Sequence, residues 1–98
     1  MEIVKCDYSG VEKKREKIQT NKDNFNIYNF DTCTMALNGN LIGIIVSRKM
    51  TKSTDGLNHQ GAYAAVIDAT TLKPIKQFGQ TSGHSFANSL IAKEGGGF

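Results

Sequence analysis

An antiparallel, all-β fold is what this chain predicts, and three observations carry the prediction. The first is the stretch Asn38-Gly39-Asn40, which separates the apolar runs Thr34-Met35-Ala36-Leu37 and Leu41-Ile42-Gly43-Ile44-Ile45-Val46. Asn-Gly supplies the positive φ angles that a two-residue hairpin turn demands. The second is a rhythm of turn signals near residues 9, 38, 56, 69 and 96, with short elements between them. The third is the absence of a helical stripe in the most charged segment: between residues 11 and 19 only Val11 and Ile18 are apolar, too narrow a face to hold a helix on a core. Ten glycines against one proline and no tryptophan also favour many turns and short elements.

Ile3 to Tyr8 alternates loosely and runs into Ser9-Gly10, so a hairpin turning at Asp7-Tyr8-Ser9-Gly10 is expected. Thr20 to Asn24 is polar throughout and reads as a loop. Residues 1–24 are therefore a weakly patterned hairpin and loop, and residues 25–98 a run of hairpin repeats. Phe25 and Ile27, then Tyr28 and Phe30, alternate with a change of phase, which a bulge or a bend between two strands produces. Leu41 to Val46 is apolar on consecutive positions, as in an inner strand covered on both faces. Ser47 to Asn58 reads as a polar linker with a turn pair at Asp55-Gly56. Ala62 to Ile67 is a strand of small residues that lets another layer approach closely. Asp68 to Leu72 turns the chain, and Lys73 to Phe78 returns. Pro74 lacks an N–H, which places it at a strand's beginning or on an edge. Ser85 to Lys93 fits either a strand or a two-turn helix, because Phe86, Leu90 and Ile91 sit at helical spacing while Gly95-Gly96-Gly97 makes a turn just beyond. If Ser89 to Lys93 is a strand, its hairpin partner is missing, and the chain is expected to be a fragment of a larger domain.

With 98 residues, 39% of them hydrophobic and 21% charged, the chain is expected to form one small globular unit. The net charge of +3 raises the question of a nucleic-acid or membrane partner, and its distribution answers it. Residues 1–23 hold six basic and five acidic side chains, residues 24–46 hold Asp31 alone, and residues 47–98 hold six basic and three acidic. No basic stripe emerges, and Glu12-Lys13-Lys14-Arg15-Glu16-Lys17 mixes both signs as a solvated face does. Tyr8, Tyr28 and Tyr63 have no basic residues interleaved at strand spacing, so core filling is favoured over a stacking platform, and no nucleic acid is expected. No apolar run approaches the roughly twenty residues of a membrane span. Cys6 and Cys33 are too far apart for a CxxC pair and read as buried or half-buried thiols. Met1 to Cys6 carries charges where a signal peptide needs an apolar core, and there is no Asn-x-Ser/Thr acceptor; both fit a cytosolic chain.

One stretch has a more particular character. His59-Gln60-Gly61 is followed by the small-residue strand, then by Val66-Ile67-Asp68-Ala69-Thr70-Thr71-Leu72, then by Gly79-Gln80-Thr81-Ser82-Gly83-His84-Ser85-Phe86-Ala87-Asn88. This succession resembles the blade-to-blade pattern of a β-propeller-type repeat family over residues 34–98. The resemblance implies a strand ending in Asp, a Thr-rich turn and a return strand that close one blade, with the Gly-His-Ser-Phe segment opening the next. A closed propeller needs at least about four blades, and this chain supplies about two. A propeller-like array completed by further chain, other subunits or several copies is therefore the expectation, with protein as the partner class and binding or structural assembly as the activity.

Gly83-His84-Ser85-Phe86-Ala87 is close to the G-x-S-x-G elbow of α/β-hydrolases. The elbow needs an apolar strand before it and an acid and a histidine after it. Gly79-Gln80-Thr81-Ser82 precedes it, and only Glu94 follows as an acid. A turn leading into a strand is the better reading, and the alternative is a hydrolase fragment whose remaining catalytic residues lie on another chain. His59 and His84 at the blade ends, Ser85 and Asp68 are the candidate ligand-binding residues, with Asp55 and Asp68 as the acidic neighbours of the two imidazoles. Two imidazoles without an acidic cluster make a poor metal site, so no metal, cofactor or catalytic residue is assigned.

Overall fold

A computed structural model describes residues 1–19, 26–51, 59–79 and 88–98, and at 26–32, 50, 51 and 59 the course of the backbone. Six strands are described: β1 (Glu2–Cys6), β2 (Glu12–Lys17), β3 (Asn26–Asn38), β4 (Leu41–Thr51), β5 (His59–Asp68) and β6 (Pro74–Gly79). All pairings are antiparallel, β1 with β2 in a two-stranded sheet and β3-β4-β5-β6 in a four-stranded one. The fold is thus all-β, and no helix occurs among the described residues.

The predicted hairpins form where the turn chemistry lies. Asp7 organises the first: its Oδ1 accepts hydrogen bonds from the N–H groups of Ser9 (2.9 Å) and Val11 (2.9 Å) and from the Ser9 hydroxyl (2.7 Å), while Gly10 takes the positive φ of 84°. In the second, Asn38 pairs with Leu41, so Gly39 and Asn40 are the central residues. The positive φ falls on Gly39 alone, at 59°. That is the type II′ requirement of glycine at the first central position, not two positive angles shared with an asparagine. The expected change of phase appears as register shifts between Ile27 and Asn29 and between Phe30 and Cys33.

β4 is an inner strand, between β3 and β5. On one face Ile44 and Val46 join Tyr63, Ala65, Ile67 and Leu72 in a core that also takes in Ile3 and Ile18 of the amino-terminal hairpin segment. On the other face lies the carboxyl-terminal segment, 88–98, whose Phe98 and Leu90 side chains press on Gly43. A Cβ at Gly43 would sit 2.8 Å from the Phe98 ring and 2.9 Å from a Leu90 methyl, so the absence of a side chain there lets the segment lie flat on the sheet. Neither the strand nor the helix considered for Ser85–Lys93 is present over the described part, 88–93. Glycines 95, 96 and 97 all have positive φ, and the backbone closes on itself through Lys93 N–H to Gly97 O (2.9 Å) and Gly96 N–H to Lys93 O (3.1 Å).

Two expectations need correction. The polar linker drawn from Ser47 begins as strand: β4 runs on to Thr51, and Ser47 and Arg48 are each only 1% exposed. Cys6 and Cys33, expected to be buried or half-buried, are free thiols at exposed positions. Cys33 lies on β3, where among the described residues no strand pairs on one flank, although its surroundings desolvate it enough to raise its pKa.

Candidate functional site

Of the four candidate ligand residues, the two that the structure describes, Asp68 and the backbone of His59, lie at opposite ends of one strand. Asp68 ends β5 and His59 begins it; nine steps of about 3.3 Å put them roughly 30 Å apart along the strand. His84 and Ser85 lie outside the described residues. Asp68 has a clear local task. Its Oδ1 accepts the N–H groups of Thr70 (2.8 Å) and Thr71 (2.9 Å), and its Oδ2 accepts from the Asn40 amide at 3.4 Å. The Thr71 N–H, then that of Thr70, hold its carboxyl below the usual carboxylate range. Thr70 Oγ1 donates to Asn40 Oδ1 (3.0 Å), and the Ala69 N–H to Asn40 O (2.9 Å), so the β3–β4 and β5–β6 turns are laced together. Asn38 adds the carboxyl-terminal segment by donating to Lys93 O (2.9 Å) and Gly97 O (2.8 Å). One end of the sheet is thus a knot of three loops whose polar groups satisfy one another.

Beneath that segment a cleft of about 220 Å³ is lined by Gly43, Ile45, Ala64, Val66, Phe78 and Phe98, among others. It is apolar, and it offers binding area without a nucleophile or a titratable group. Among the described residues no three His, Cys, Asp or Glu side chains cluster as metal ligands would, and no helix there is long and apolar enough to cross a membrane.

The buried polar chemistry lies on the opposite face. Arg48 is 1% exposed; its guanidinium lies 5.7 Å from the Tyr63 ring centroid and donates to Gly61 O (3.4 Å) and Ala62 O (3.5 Å). A cation needs such partners to be tolerated inside a fold. Gly61 stands opposite Arg48 in the β4–β5 register, and a Cβ at Gly79 would come within 3.0 Å of the guanidinium. Tyr63 donates from its hydroxyl to Gln77 Oε1 (2.9 Å). Burial pushes the phenol up to about 12, against the opposing pull of the Arg48 charge. Sequence reasoning passed over Arg48 because it stood in an apparent linker. The signal that would have found it was a pair of glycines inside strands, which mark the close approach of another group.

The remaining surface of note is the pair of sheet edges, β3 and β6. They differ in chemistry. β6 opens with Pro74 and carries Lys76, whose ammonium lies 5.2 Å from the centre of the Phe78 ring; proline and lysine are the residues that blunt an edge against further pairing. β3 has no charge from Thr32 to Asn38, and Met35 and Leu37 are 59% and 66% exposed. Set against known proteins, the chain matches no family model, no curated protein and no solved structure.

Proposed function

We propose that this chain is a non-catalytic β module that works by assembly, adding its four-stranded meander to a larger β structure formed with further chain or other subunits. The observation that carries the reading is an antiparallel sheet in sequential order, β3-β4-β5-β6, that among the described residues ends in an open strand on each side. Apolar side chains stand out along both edges, Met35 and Leu37 on one, Ile75 and Phe78 on the other. On β3 an unpaired edge with exposed apolar residues favours further strand pairing, while on β6, blunted by Pro74 and Lys76, the exposed apolar residues favour a covering surface. A sequential four-stranded meander is also the unit from which propeller blades are built, so a blade-like place in a propeller-like array is the finer form of the proposal. The knot of loops around Asp68, Asn40 and Asn38 then serves to hold the turn geometry at one end of the unit.

The test is the mass of the purified particle by light scattering, together with the intact mass of every chain in it. A particle heavier than one chain is expected. A stable monomer at every concentration would overturn the assembly reading. An enzymatic activity abolished by Ser85→Ala with the fold unchanged would overturn its non-catalytic part.

A further inference from the structure

We propose that the partner on the β3 edge is a second copy of this chain, paired antiparallel about a twofold axis through Met35; this rests on the assembly reading, names its partner and sets one continuous eight-stranded sheet, four strands from each copy, in place of the propeller-like form. The backbone geometry comes first. A two-residue hairpin loop closes on a hydrogen-bonded pair, here Asn38 and Leu41, and such pairs alternate along an antiparallel ladder. Ala36 and Thr34 therefore bond to β4, and the N–H and C=O groups of Cys33, Met35 and Leu37 point to the open side. The same three residues place their side chains on the face that holds Ile42, Ile44 and Val46, their register partners.

An axis at Met35 pairs Met35 with Met35 of the second copy and Cys33 with its Leu37. Every outward donor in that stretch meets an outward acceptor, and the exposed Met35 and Leu37 side chains meet their counterparts in one apolar band. Charge favours this arrangement over a head-to-tail one. No charged residue lies between Thr32 and Asn38, so the symmetry opposes no like charges. Joining β3 to β6 of the next copy would instead bring in Pro74, which has no N–H to give, and Lys76, and it would leave a growing end. The register shift between Phe30 and Cys33 bends β3 and limits the straight pairing segment to about the length of one short strand. Ile3 and Ile18 of the amino-terminal hairpin segment belong to a core cluster with residues of β4, β5 and the following turn, none of them on β3.

The experiment uses the whole chain in a Cys6→Ser background. In a hydrogen-bonded antiparallel pair opposed Cα atoms are about 5.5 Å apart, within disulfide range. Leu37→Cys should therefore form a covalent dimer through Cys33 of the other copy under mild oxidation, whereas Thr34→Cys, on the opposite face, should not. Sedimentation of the unsubstituted chain should approach twice 10.7 kDa, or 21.4 kDa, as concentration rises, and Met35→Lys should return it to 10.7 kDa with an unchanged circular dichroism spectrum. A heavier particle without the Cys33 cross-link and indifferent to Met35→Lys would overturn the β3 pairing while leaving assembly standing. A particle in which a different chain occupies β3 would overturn the choice of partner. A monomer at all concentrations would overturn both.

Discussion

Leu72 is where two residue-level demands collide. It is the one non-glycine with positive φ among the described residues, at 60°, and it is also 1% exposed, within the core cluster. The left-handed conformation costs a side-chain-bearing residue about 1–2 kcal/mol, which glycine would recover. Emptying a buried leucine site costs about 2–5 kcal/mol. Burial outweighs strain, so Leu72→Gly should destabilise the protein by about 1–3 kcal/mol in a denaturant titration. A gain in stability would mean that the side chain contributes less packing than its burial implies. The conformation is bought by the Asp68 turn, where the Leu72 N–H donates to Asp68 O at 2.8 Å.

At the scale of elements, the turns carry the acid sensitivity. The carboxyls of Asp7 and Asp68 both lie below their ordinary range, the first chiefly through the Ser9 hydroxyl and the second chiefly through the Thr71 N–H. A carboxyl lowered by folding contributes stability that is present above its unfolded value, about 3.9, and is lost as pH falls through the folded one. The melting temperature should therefore drop as pH is lowered from about 4, and Asp68→Asn should flatten that drop; an unchanged acid limb in the variant would remove Asp68 from the account. These hairpins were legible because turn chemistry is local: Asn38-Gly39, Asp7 to Gly10 and Asp68 to Leu72 each announce a reversal without reference to the rest of the chain. The end of β4 was not. Ser47, Arg48 and Lys49 look like solvent-facing residues, and they continue a strand because Ala62, Gly61 and Gln60 of β5 stand opposite them, a fact of pairing that no window of sequence contains.

Across the whole molecule the question is what holds the amino-terminal hairpin to the large sheet. Arg15 bonds to Glu2 and Glu12 within the hairpin, at exposed positions, and ties nothing to the sheet. Ile3 and Ile18, 7% and 2% exposed, enter the common core. Ile18→Ala should therefore cost about 2–4 kcal/mol, whereas Arg15→Ala should leave the unfolding midpoint nearly unchanged; the reverse order would show that the ion pairs inside the hairpin matter more than its seating in the core. The all-β class and the succession of hairpins could be read from the residues. The arrangement of one hairpin against one face and of 88–98 against the other could not, since both depend on which face of β4 each small residue occupies. For the same reason the candidate ligand residues were chosen by type, while the edge chemistry of Met35 and Leu37 emerges only once β3 is known to lie outermost.

The order of the strands has a kinetic meaning as well. Every pairing among the described residues joins strands that are neighbours in sequence, so each hairpin closes a short loop and can form soon after its two strands exist. The contact of Ile3 and Ile18 with residues 44–72 spans a far longer separation and carries the greater closure entropy. During synthesis the amino-terminal hairpin is therefore made first and seated late, after β5 has been produced, and until then its apolar side chains wait in solvent.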